Sequence, residues 1–111
     1  MRVVILASAE RDLTEVRRYI LDNFSHNTWL KTFGKLKESI RHLATFPQLG
    51  AVPAELERLN LTQYWQILSG MNRVIYETRQ DTVYIHIIVD VHRDIQAFLL
   101  RRLVRWRPSR A

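Results

Sequence analysis

Three side chains in this sequence could act together on an anion: Arg73, His92 and Arg93. A guanidinium presents a rigid fork of N–H donors that fits phosphate or carboxylate oxygens. An imidazole changes its charge near neutral pH and is the commonest group for moving a proton. Together they could hold a phosphate and shift a proton beside it. Arg73 lies in an apolar run, RVIYE, where a cation must reach water or pair with an anion. Glu77 and Asp90 are the nearby acids for a purely structural pairing. His92 and Arg93 follow a second apolar run, VYIHIIVD, and Asp94 then stands where a helix cap belongs.

The elements that must position these residues follow from periodicity. Residues 2 to 7 carry the β-branched run Val3-Val4-Ile5 and predict a buried strand. Ser8 is the expected cap of a first helix over about 9 to 23, with Glu10 and Asp12 in its first turn. Its apolar stripe is Leu13, Val16, Tyr19 or Ile20, and Phe24. Residues 23 to 27 read as the connection, and Thr28 as the cap of a second helix. Trp29, Phe33, Leu36, Ile40 and Leu43 form the buried stripe of that helix, and Pro47 ends it. Residues 54 to 59 have room for one helical turn. Strands are expected over 64–68, 73–77 and 83–89, joined by turns at 69–71 and 79–82. Strict alternation would send Val83, Ile85, Ile87 and Val89 to one face, and Tyr84, His86, Ile88 and Asp90 to a half-covered other face. Ile95, Phe98, Leu99, Leu103 and Trp106 predict a last helix over about 94 to 105.

The order is β-α-α-β-β-β-α, an α+β domain over residues 1–111 with an antiparallel sheet packed on an αα-hairpin and the first strand beside the last. The chain has 111 residues, no Cys and a formal net charge of +6. Neither a disulfide framework nor a thiolate metal site is available, and the four histidines lack metal spacing, so no metal and no cofactor are expected. The apolar stretch at the start is too short for a membrane span, so the expectation is a cytoplasmic protein without a membrane partner. From Val91 onward there are six Arg and a single acid, Asp94. Such an end suits an anionic partner, and Arg101, Arg102, Arg105 and Trp106 are the expected contact residues there. Trp106, set between Arg105 and Arg107, could stack on an unpaired base or anchor the last helix.

Several motifs resemble the RelE/ParE toxins of bacterial type II toxin–antitoxin pairs. They are A-x-x-D-L-x-x-x-x-x-Y (Ala9, Asp12, Leu13, Tyr19), F-P (Phe46, Pro47), G-x-x-R-V-I-Y-E (Gly70, Arg73, Val74, Ile75, Tyr76, Glu77) and H-R-D (His92, Arg93, Asp94). The first of these and the L-x-x-R-L of Leu99 to Leu103 look more like the ParE subgroup. That resemblance implies a toxin that arrests growth by inhibiting DNA gyrase, serves plasmid stabilisation and is neutralised by a cognate antitoxin. The alternative that the resemblance implies is a RelE-like endoribonuclease acting on messenger RNA at the ribosome. In that reading Arg73 and Arg93 would hold the phosphate and His92 would move the proton. No Tyr follows His92, where some RelE-like proteins place one. Otherwise Arg73, His92 and Arg93, with the C-terminal arginines and Trp106, would bind the target or the antitoxin.

Overall fold

A computed structural model describes residues 1–92, 96 and 101–103. Four strands, β1 (Arg2–Ile5), β2 (Tyr64–Ser69), β3 (Asn72–Arg79) and β4 (Thr82–Asp90), form one sheet in the order β1-β4-β3-β2. Helices α1 (Ala7–Asn23) and α2 (His26–Thr45) make the expected hairpin, and α3 (Ala54–Arg58) is the short helical turn. Gln96 and Arg101–Leu103 are helical, and the rest of the expected last helix lies outside the described residues. The α+β class holds. The sheet is mixed, however, because β1 runs parallel to β4 while β2, β3 and β4 are antiparallel. The αα-hairpin between β1 and β2 returns the chain to the far edge of the sheet, so the three later strands can meander back to β1.

Local chemistry moves both predicted caps. Leu6 precedes α1 and offers no side-chain cap, so the helix begins at Ala7 instead of after Ser8. The reason is continuity with the sheet: the Leu6 N–H donates to the Ile85 carbonyl at 3.1 Å, and the Glu10 N–H then donates to the Leu6 carbonyl at 3.0 Å. Ser25, not Thr28, caps α2, its hydroxyl accepting the Thr28 N–H at 3.1 Å. In the two-residue turn between β2 and β3, Gly70 has a φ of +59°, which suits the residue without a Cβ.

The sheet is covered on both faces. Toward α1 and α2 it presents Ile67, Val74, Tyr76, Val83, Ile85 and Ile88, packed with Ala9, Leu36, Ile40 and Leu43. On the other face Tyr64, Ile75, Ile87 and Val89 pack with Leu56 of α3 and Leu103. The two lists show that simple alternation fails in β4. Ile75 pairs with Ile87 and Tyr76 with Ile85, so His86 is an extra residue, a β-bulge. One inserted residue reverses the side-chain phase. Ile88 therefore joins Val83 and Ile85 beneath the helices, while Ile87 and Val89 face the opposite way. His86, expected on a half-covered face, is 3% exposed.

Candidate functional site

Arg73 sits on β3 directly between Leu68 of β2 and Val89 of β4, on the same face as Ile75 and away from the helical hairpin. Its side chain is 10% exposed. The anion it meets is neither Glu77 nor Asp90 but Glu55, at the start of α3. One terminal nitrogen of Arg73 donates to Glu55 Oε1, the other reaches Oε2 at 3.4 Å, and Nε donates to Gln66 Oε1. Sequence spacing concealed this partner, because Glu55 comes to β3 only when the chain after α2 folds back along the sheet. Glu77 instead bonds Arg79 Nε at 2.9 Å and lies 3.7 Å from His86 Nε2. Burial pushes the Glu77 carboxyl upward, but the nearby His86 imidazole and the hydrogen bond from Arg79 outweigh it and hold the group below its ordinary value.

His92 lies elsewhere. It is exposed in the turn after β4, where Asp90 Oδ1 accepts its backbone N–H at 2.8 Å and stands 2.9 Å from Nδ1. Its ring lines a groove on the helical side, whereas Arg73 belongs to the α3 side. The structure thus does not gather Arg73 and His92 into one constellation. Arg93, Arg105 and Trp106 lie outside the described residues. Arg101 is exposed. Arg102, expected on a contact surface, is turned inward: its two terminal nitrogens bond Asp12 Oδ1 and Oδ2 at 3.0 Å each, and one also donates to the His86 carbonyl at 2.8 Å.

This inward clamp explains two of the motifs. β1 ends at Ile5, so β4 beyond Ile85 has no strand on that side. Asp12 and Arg102 take over there: Asp12 Oδ2 accepts the Ile88 N–H at 3.1 Å, and Arg102 reaches the His86 carbonyl. A carboxylate one helical turn into α1 and an arginine near the C-terminus together satisfy main-chain groups that the bulge and the short first strand leave over.

The groove beside His92 was missed by sequence reading. It encloses about 1070 Å³ between the αα-hairpin and the Gly70 turn, with Val16, Tyr19, Phe24, Met71 and Ile88 among its lining. Of Tyr19 and Ile20, the two alternatives that spacing offered for the buried stripe, Ile20 takes the core position and Tyr19 is exposed, as is Phe24, which spacing had also placed in the stripe. The signal for this was present as an excess of apolar positions along α1, more than one buried face can hold. Lys31 and Lys35 stand on one side of the groove, Asp12 and Glu15 on the other. Tyr19, Phe24 and Met71 leave exposed apolar surface along it. Among the described residues no cluster of acids and histidines could hold a metal ion.

Residues 3–95 match the family described as "ParE toxin of type II toxin-antitoxin system, parDE". The chain belongs to the ParE toxin family. The same fold appears in a solved structure described as "Chromosomal ParDE TA system from P. aeruginosa", at 12% sequence identity and a TM-score of 0.69, covering 83% of this chain and 97% of that chain. No curated protein is similar enough in sequence to match. The ParE assignment accords with the motif of Ala9, Asp12, Leu13 and Tyr19, in which Ala9 is fully buried and Asp12 serves the Arg102 clamp. No helix among the described residues is long and apolar enough to cross a membrane.

Proposed function

We propose that this ParE-family chain arrests growth by inhibiting DNA gyrase through protein contacts, and that a cognate antitoxin neutralises it. The observation that carries this reading is the pairing of Arg73. The cation that a scissile phosphate would need is already engaged by Glu55 and Gln66, on a different side of the sheet from His92. Acid–base chemistry requires its groups within hydrogen-bond reach of one substrate, and these two residues are not so arranged. Binding to a protein makes no such demand. It calls for an accessible apolar surface with a polar rim, which the groove beside Tyr19, Phe24 and Met71 offers.

The antitoxin is proposed to seat an amphipathic segment in this groove, its acids drawn toward Lys31 and Lys35. A net charge of +6 would speed that encounter. The proposed target places the action of the toxin in the cytoplasm. Inducing the chain without its antitoxin, then recovering plasmid DNA and mapping transcript ends from the same culture, tests the reading. Protein-linked breaks or lost supercoiling in the plasmid are expected, with transcripts intact. Codon-linked transcript cuts on undamaged plasmid would support the ribosome-dependent nuclease instead.

A further inference from the structure

We infer that Arg73, its fork oriented by Gln66, forms an oxyanion site that Glu55 occupies as a built-in counter-ion, making Glu55 the residue that denies this face to phosphate. The geometry is that of anion recognition. Both terminal nitrogens of Arg73 address the two oxygens of one carboxylate, with Nε fixed separately by Gln66, so the fork is oriented before any ligand arrives. Carboxylate and phosphate present similar pairs of oxygens to such a fork. The pocket is backed by Ile75 and Val89, both buried, and Leu68, directly across from Arg73, is exposed at its rim.

Exposure shows which partner is the plug. The Arg73 side chain is 10% exposed and the Glu55 side chain 27%, so the carboxylate is the more accessible member of the pair. Glu55 belongs to a helix of five residues whose buried anchor is Leu56, not Glu55 itself. Removing the Glu55 charge leaves the anchor in place and the guanidinium without its counter-ion. A nearly buried cation in that state is costly, and a dissolved oxyanion that enters the vacated position relieves the cost. This inference rests on the proposed protein target, for which a closed phosphate site is no handicap.

The test compares the full chain, Glu55→Gln, and Glu55→Gln combined with Arg73→Met, by thermal unfolding in inorganic phosphate against chloride at equal ionic strength. Glu55→Gln should gain a phosphate-dependent rise of about 5 °C once phosphate reaches roughly ten times its dissociation constant. The unaltered chain and the double variant should not show it. If Glu55→Gln folds only when phosphate is present, the pocket is equally supported. A folded Glu55→Gln indifferent to phosphate, or an equal rise in the unaltered chain, overturns the inference. So does a Glu55→Gln that stays unfolded in phosphate while Glu55→Met with Arg73→Met folds. Gyrase supercoiling is assayed on the unaltered chain alongside: a failure there removes the proposed target and leaves the phosphate comparison standing on its own.

Discussion

Asp12 meets three needs with two oxygens. It accepts the Ile88 N–H, forks with Arg102 and, through Arg102, ties the C-terminal segment to the bulge. Asp12→Ala would leave the Ile88 N–H unsatisfied and take the counter-ion from a mostly buried guanidinium, and is expected to cost about 2–4 kcal/mol in urea unfolding. Arg102→Met, which removes the cation but keeps apolar volume, should cost less. A double-mutant cycle should give a coupling energy of about 1 kcal/mol or more. Glu77 makes a prediction in pH. Its folded-state pKa lies below the ordinary value, so the stability it contributes is fully present above the unfolded carboxylate range, near pH ~4.3, and is lost as pH falls through the lower folded value. Glu77→Gln should therefore be less stable than the unaltered chain at pH 7, and the gap should narrow steadily as pH falls below about 5. A gap that widened in acid would contradict the assigned direction.

At the scale of elements, the His86 bulge is what allows both faces of the sheet to be built from one strand. Without it, Ile87 and Val89 would point at α1 and α2, and Ile88 would leave the main core. An alanine inserted between Ile87 and Ile88 should thus abolish cooperative unfolding, since one residue of slip exchanges every side chain beyond Ile87 between faces, whereas deleting His86, the extra residue, leaves Ile87, Ile88 and Val89 on the faces they occupy. Circular dichroism melts would show this as loss of a sharp transition. His86→Ala, which keeps the residue count, should retain one. The strands, the two turns and the helical hairpin were legible from apolar spacing, because alternation in strands and steps of three and four in helices report burial directly. The bulge was not legible, for in VYIHIIVD the apolar residues Ile87 and Ile88 are adjacent and each face is equally satisfied on paper. The caps shifted for a related reason: Leu6 still bonds Ile85 in the sheet, a long-range contact that no local cap signal encodes.

For the whole molecule, motif order carried the family where no single residue could, and residues 3–95 bear that out. The candidate site was less legible. Arg73 stood out as a cation in an apolar strand, but its partner Glu55 lies eighteen residues earlier on another element, and only the folded chain brings the two together. The groove was hidden because spacing left Tyr19 and Ile20 as equal candidates for the core and put Phe24 in the buried stripe, whereas only Ile20 of the three is buried. Charge pattern pointed to the C-terminal arginines as a contact surface, and Arg102 proves to be engaged within the fold. What these facts leave for function is a scaffold whose most suggestive cation is internally satisfied and whose groove is lined largely by apolar residues. Such a molecule should act by binding a protein. Purified gyrase supercoiling relaxed plasmid in the presence of ATP measures this most directly: increasing toxin should inhibit supercoiling, with reversal by excess antitoxin. Full supercoiling at a large molar excess of folded toxin would contradict it.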